Sequence, residues 1–230
     1  MKIFAADYDG TFMRGSPKPG EMAENIRQAD LWRKAGNLFL FATGRDVKGL
    51  LDYLPKGLVY DYIVGLNGGT VATYEGEIIL EEVIPRHVAD EIIAMISKNN
   101  IQEHFISDET ENGTGKITIL MDTPDEAIYM ADLFSNRLKS GANVFVNDRC
   151  VDIVAPEVSK ATGIACVARR HNIACSDIYC IGDSHNDVPM LNAYNGFTMP
   201  DVDAVVDAAA IKVYNSVGEA LWELNNKRHI

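Results

Sequence analysis

Three short apolar runs in this chain each stop at a polar motif, and that arrangement constrains the fold more than any other feature of the sequence. Residues 2–6 hold Ile3 and Phe4 and end at Asp7-Tyr8-Asp9-Gly10-Thr11; residues 38–42 end at Thr43-Gly44-Arg45; residues 178–181 end at Gly182-Asp183-Ser184-His185-Asn186-Asp187. Runs of this length, bounded by turn residues, read as buried strands. Between the first two, residues 21–34 place Met22, Ile26, Ala29 and Trp32 at helical spacing, with Gly36 set to end the helix. A second helix is expected at 160–171 and another beginning at Asp187. Strands alternating with helices build a parallel sheet, and such sheets bind ligands at the carboxyl ends of their strands. The expected class is α/β, a Rossmann-like parallel core with its motifs on one edge.

The rhythm changes in the middle of the chain. A short helix at 46–54, with Val47, Leu50, Leu51 and Leu54 inward, and a strand at 62–65 lead to Asn67-Gly68-Gly69. A hairpin at 71–80 follows. A helix at 86–99, strands at 104–107 and 116–121, a helix at 125–139 and strands at 143–146 and 151–154 then make an α-β-β-α-β-β unit. The expected domains are a core of residues 1–82 and 156–230 and an insert of residues 83–155. Strand alternation puts His104, Lys116, Thr118, Phe145, Asn147 and Asp152 on a mixed face that looks toward the motifs. Phe105, Ile117, Ile119, Val144, Val146 and Ile153 fall on the face that packs against the helices.

Asp7 and Asp9 leave the first strand two residues apart. Two carboxylates a few ångströms from each other repel by roughly 4 kcal/mol at an effective dielectric of about 20. A hard divalent cation held by carboxylates, waters and substrate oxygens suits such a pair, and Mg²⁺ is bound in this way. The chain carries 21 basic against 33 acidic residues, net −12, which argues against a nucleic-acid surface. Lys160 and Arg45 supply local positive charge for a small anionic substrate. The apolar start is too short for a signal peptide and no apolar span reaches ~18 residues, so a cytoplasmic protein without a membrane partner is expected. Cys150, Cys166, Cys175 and Cys180 lack paired spacing and read as reduced packing thiols.

Taken together, Asp7 to Thr11, Thr43 to Arg45, Ser159-Lys160, Gly182 to Asp187 and the Asn67-Gly68-Gly69 turn resemble the haloacid dehalogenase (HAD) superfamily of aspartate-nucleophile phosphatases, specifically its Cof-type branch with a type IIB cap. The resemblance spans essentially the whole chain and implies an α+β cap inserted in the core and an aspartyl-phosphate route with Mg²⁺. Asp7 is then the nucleophile, and Asp9 the acid that protonates the leaving oxygen and the base that activates water. Thr43 and the Gly44 N–H hold the phosphoryl group, and Lys160 neutralises it. Asp183 joins Asp7 and the Asp9 carbonyl at the metal, with Asp187 orienting Lys160 or a metal-bound water. Tyr8, Arg45, Asn67 and Asn186 are candidates for phosphate or substrate contact, while His185 is read as a bystander. The expected partner is a small phosphorylated metabolite, for a monomer or homodimer. A phosphomutase is the alternative, and a non-catalytic phospho-acceptor like a receiver domain a more distant one.

Overall fold

The computed structural model of the protein describes residues 1–226. Its elements begin with β1 (Ile3–Ala6), α1 (Glu21–Lys34), β2 (Leu38–Ala42), α2 (Val47–Leu51), β3 (Tyr62–Gly65), β4 (Thr70–Thr73) and β5 (Ile78–Glu81). The insert contributes β6 (Ile84–Pro85), α3 (Arg86–Lys98), β7 (Glu103–Thr110), β8 (Gly113–Leu120), α4 (Pro124–Leu138), β9 (Asn143–Asn147) and β10 (Cys150–Val154). The chain closes with α5 (Lys160–Arg170), β11 (Ile178–Gly182), α6 (Val188–Ala193), β12 (Asn195–Thr198), α7 (Ala204–Ala209), β13 (Lys212–Val213) and α8 (Val217–Asn226).

The larger sheet runs β13-β12-β11-β1-β2-β3-β4-β5. Its strands are parallel from β13 through β3, and the hairpin β4–β5 adds an antiparallel edge. Because successive side chains point to opposite faces, β1 feeds two cores at once. Phe4 and Ala6 join Trp32, Phe39, Phe41 and Leu221 on one face, while Ile3 and Ala5 join Leu40, Val64, Ile164 and Val167 on the other. Both faces are apolar because both are covered by helices, as a parallel sheet requires. β11, β1 and β2 lie side by side, so the ends of these three runs converge on one edge.

The second sheet centres on β8, which pairs with β7 along its length, with β10 over residues 116–120 and with β6 at Gly113 and Thr114. Helices α3 and α4 pack one face, burying Ile92, Phe134, Ile117, Ile119, Val151 and Ile153. This sheet with two helices on one side is the cap.

The register of β7 corrects one expectation. His104 stands opposite Ile119, and Phe105 opposite Thr118. His104 thus shares the helix-side face and Phe105 the mixed face, the reverse of the sequence reading. The loop of Glu111 and Asn112 sets the pairing Thr110↔Gly113, and hairpin loop length fixes register for the whole strand. Counting along β7 alone cannot see that constraint. Helix α2 is also shorter than expected, and its last residue, Leu51, is exposed rather than inward.

Candidate active site

Asp7 follows β1 directly, its N–H donating to the Ile181 carbonyl of β11 at 2.9 Å, so the sheet itself positions this carboxylate. Lys160 reaches it from the first turn of α5. The Ser159 side chain accepts from the Thr162 N–H, and the Thr162 hydroxyl lies 2.9 Å from the Ser159 N–H, a reciprocal cap that fixes where the helix starts. Lys160 is 1% exposed, and its Nζ donates to Asp7 Oδ1 at 2.7 Å and to Asp187 Oδ1 at 2.6 Å. Burial opposes the lysine charge, but Asp187 and Asp7 outweigh it and raise the pKa. Asp187 Oδ2 accepts from the Asp183 and Ser184 N–H groups at 3.0 Å each. Both oxygens of Asp187 are therefore engaged by donors, which fits an orienting residue better than a metal ligand.

Asp7, Asp183 and Asp187 bring carboxylate oxygens within 4.8 Å of one another. Asp183 accepts from the Thr11 hydroxyl across the mouth of the first motif. Gly10 has φ +89°, and a Cβ there would lie 2.3 Å from Asp183 Oδ2, so only glycine lets the two motifs close on each other. Burial pushes the Asp7 carboxyl well above its ordinary value, with Lys160 only partly offsetting it, and burial raises Asp183 too. Ionising both needs positive charge beyond the one lysine. An all-oxygen set of this kind fits a hard divalent cation such as Mg²⁺, and Asp7 and Asp183 are the side chains that could hold it.

Asp9 lies on the solvent side of this cluster. The Arg45 fork grips it through two bonds of 2.7 Å, and the guanidinium stacks over Tyr53 at 4.3 Å. That pairing raises the arginine pKa further. Tyr8 departs from its expected role. Its ring is buried against Phe12 and Phe41 and its hydroxyl donates to the Tyr53 carbonyl at 2.7 Å, so the side chain belongs to the core rather than the cleft. Phe12 and Phe41 claim the ring because Tyr8 continues the alternation of β1 and falls on the same face as Phe4 and Ala6.

A cleft of about 260 Å³ lies between core and cap, lined by Asp7, Asp9, Thr43, Gly44 and Arg45 below and by Lys116, Thr118, Asn147, Cys150 and Asp152 above. Ser184 and Asn186 complete it. Lys116 crosses the gap to donate to the Gly44 carbonyl at 2.7 Å, and stands 3.2 Å from Asp152. Asn67, in the left-handed region at φ 56°, bonds Asp152 Oδ2 at 2.9 Å and accepts from Asn186 at 3.0 Å. Four of the mixed-face residues read from the sequence thus line the cleft, and His104 does not. The sequence reading missed the Ser159 cap and the close approach of Gly68, where a Cβ would meet the Ser159 carbonyl at 2.0 Å. The capping signal Ser159-x-x-Thr162 and the glycine pair at 68–69 are the only traces these leave in the sequence.

The family model for haloacid dehalogenase-like hydrolases matches residues 4–115 and 102–220. The chain belongs to that family. It is similar, at 23% identity over 91% of this chain and 89% of the relative, to 5-amino-6-(5-phospho-D-ribitylamino)uracil phosphatase YbjI of Escherichia coli. Among solved structures it resembles a HAD/COF-like hydrolase from Plasmodium vivax, with TM-score 0.84 and 20% identity over 97% of this chain and 95% of that one. It also resembles the HAD subclass IIB sugar phosphatase BT4131, with TM-score 0.77 and 19% identity over 99% and 98% of the two chains.

Proposed function

We propose that this hydrolase is a Mg²⁺-dependent phosphatase that releases phosphate from a small hydroxylated phosphomonoester, a sugar phosphate or phosphorylated cofactor, through a phosphoryl group carried on Asp7. The observation that carries this reading is the buried Asp7 carboxylate, bonded to Lys160 at 2.7 Å and facing Asp183 at the open end of β1. The catalytic unit is residues 1–82 and 156–230, and residues 83–155 form the cap over it. The four cysteines are unpaired, in keeping with a cytoplasmic protein, and no helix among the described residues is long and apolar enough to cross a membrane.

Asp7 attacks phosphorus in line with the leaving oxygen. Thr43 and the Gly44 N–H hold the equatorial oxygens, and Lys160 offsets the charge shared by phosphoryl group and nucleophile. Asp9 gives its proton to the leaving oxygen and takes one from the water that opens the aspartyl-phosphate. It reaches that position by exchanging the Arg45 fork for the substrate. Mg²⁺ held by Asp7, Asp183 and the Asp9 carbonyl would supply charge neutralisation at the phosphoryl oxygens. The polar cleft and the named activities of the relatives, one on a ribityl phosphate and one on a sugar phosphate, support a polyol-bearing substrate.

A phosphorylated-metabolite panel read by free phosphate tests the whole reading. Hydrolysis that depends on Mg²⁺ and disappears in Asp7→Asn is expected. Conversion of a hexose 1-phosphate into its 6-phosphate without phosphate release would make the protein a mutase instead.

A further inference from the structure

We infer that Asp152, a residue of the cap, is a positioning residue that fixes which end of the Asn186 side chain faces the phosphoryl site, acting through Asn67. The three side chains form one line of hydrogen bonds, Asp152 Oδ2 to Asn67 Nδ2 at 2.9 Å and Asn67 Oδ1 to Asn186 Nδ2 at 3.0 Å. All are buried, at 3%, 1% and 2% exposure. The order of the atoms follows from chemistry. A carboxylate only accepts, so Asn67 must turn its nitrogen to Asp152 and its oxygen to Asn186. Asn186 must then answer with its nitrogen.

The other oxygen of Asp152 is held as firmly, by the Thr118 hydroxyl at 2.6 Å and Lys116 at 3.2 Å. A Cβ built on Gly44 would stand 3.7 Å from Asn186 Nδ2, so that amide group sits against the Thr43–Gly44 loop. One of its hydrogens goes to Asn67, and the second remains for a phosphoryl oxygen. Among the described residues the buried Asn186 Oδ1 has no hydrogen-bond partner, the cost of committing the nitrogen to this side. Reversing the line would present an acceptor to an anion. The fourth motif is thus aimed by a carboxylate that only a docked cap delivers. What Asn186 donates to rests on the phosphatase reading; the line of bonds does not.

An isosteric exchange tests the inference. In Asp152→Asn, Lys116 and Thr118 keep the amide oxygen on their side, so its nitrogen turns to Asn67, which reverses and takes Asn186 with it. The expected loss in kcat is about 10²-fold, that of one misdirected donor at a developing charge, and equal for para-nitrophenyl phosphate and acetyl phosphate, which offer the cap no hydroxyls to read. Inorganic phosphate, measured by calorimetry, should bind more weakly in step. Adding Asn67→Asp restores the order, because a carboxylate in the middle accepts from both neighbours, and kcat and phosphate affinity should recover most of the loss. Asn67→Asp alone sets two carboxylates face to face and should be impaired, so the rescue can be scored against either single variant if the other fails to fold. A double variant no better than the singles overturns the relay while leaving the phosphatase intact. Wild-type protein that neither hydrolyses nor binds phosphate overturns the functional reading and the role given to Asn186 with it.

Discussion

Lys160, itself buried, is bonded to two carboxylates at the base of the cleft. Removing one partner of such a group leaves uncompensated charge in the interior, which typically costs 3–5 kcal/mol. Lys160→Met should therefore lower the stability of the metal-free protein by about that much near neutral pH, measured by urea unfolding, and abolish turnover. A loss within 1 kcal/mol would mean that Asp7 and Asp187 find other compensation. In the proposed mechanism Asp9 serves both chemical steps, so its loss should separate them. Asp9→Asn should leave the fold intact, lower turnover by ~10²–10⁴-fold and let phospho-enzyme accumulate on an aryl phosphate. Rapid quench and mass measurement of the Asp7 peptide would show it, and full turnover in this variant would remove Asp9 from the mechanism. At this scale the sequence was most legible. The motif carboxylates and Lys160 meet because each ends a strand or begins a helix, and strand ends can be read from apolar runs. The Arg45–Asp9 fork was not legible, since it depends on what lies beside it in space, whereas the inward face of Tyr8 was available from the alternation of Phe4 and Ala6.

Elements carry those residues with different tolerance. Helix α5 starts at Lys160, and the Ser159–Thr162 cap decides where that start falls. Ser159→Ala should cost about 1 kcal/mol in denaturant unfolding and lower kcat, with KM less affected, because the lysine loses its fixed origin. An unchanged kcat would show that the Lys160 contacts alone hold the turn. The boundaries of α1 and β2 were readable because each follows its own periodicity, whereas α2 ends earlier than its spacing suggested and α7 was not read at all. The face of β7 was not readable, because a strand's register is a property of its partner. The Thr110↔Gly113 pairing put His104 on the helix-side face and Phe105 on the mixed face. Lys116, Thr118 and Asp152 came out on the expected face because they alternate along β8 and β10 with Ile117, Ile119, Val151 and Ile153, which pack under the helices.

Across the whole molecule, the proposed metal site should tie stability to both pH and Mg²⁺. Asp7 and Asp183 have folded-state pKa values above the ordinary 3.8 of the unfolded chain, chiefly through burial. Between 3.8 and the raised values the folded state holds more protons than the unfolded one. Stability from this pair is therefore full below 3.8 and lost as pH rises through the folded values. Other carboxylates act oppositely, Glu24 through its bond to Arg27 and Asp203 through its bond to the Val205 N–H, so a simple pH–stability curve mixes the two signs. A titration with and without Mg²⁺ separates them. The cation binds the ionised pair, so its stabilisation should be small near pH 4 and grow toward neutrality, reaching about 2.7 kcal/mol at a hundred times its Kd. The melting temperature would report it, with Asp183→Asn as the control for diffuse binding to a chain of net charge −12. A Mg²⁺ shift of equal size at both ends of the range, or one that survives Asp183→Asn, would place the cation elsewhere on this acidic surface.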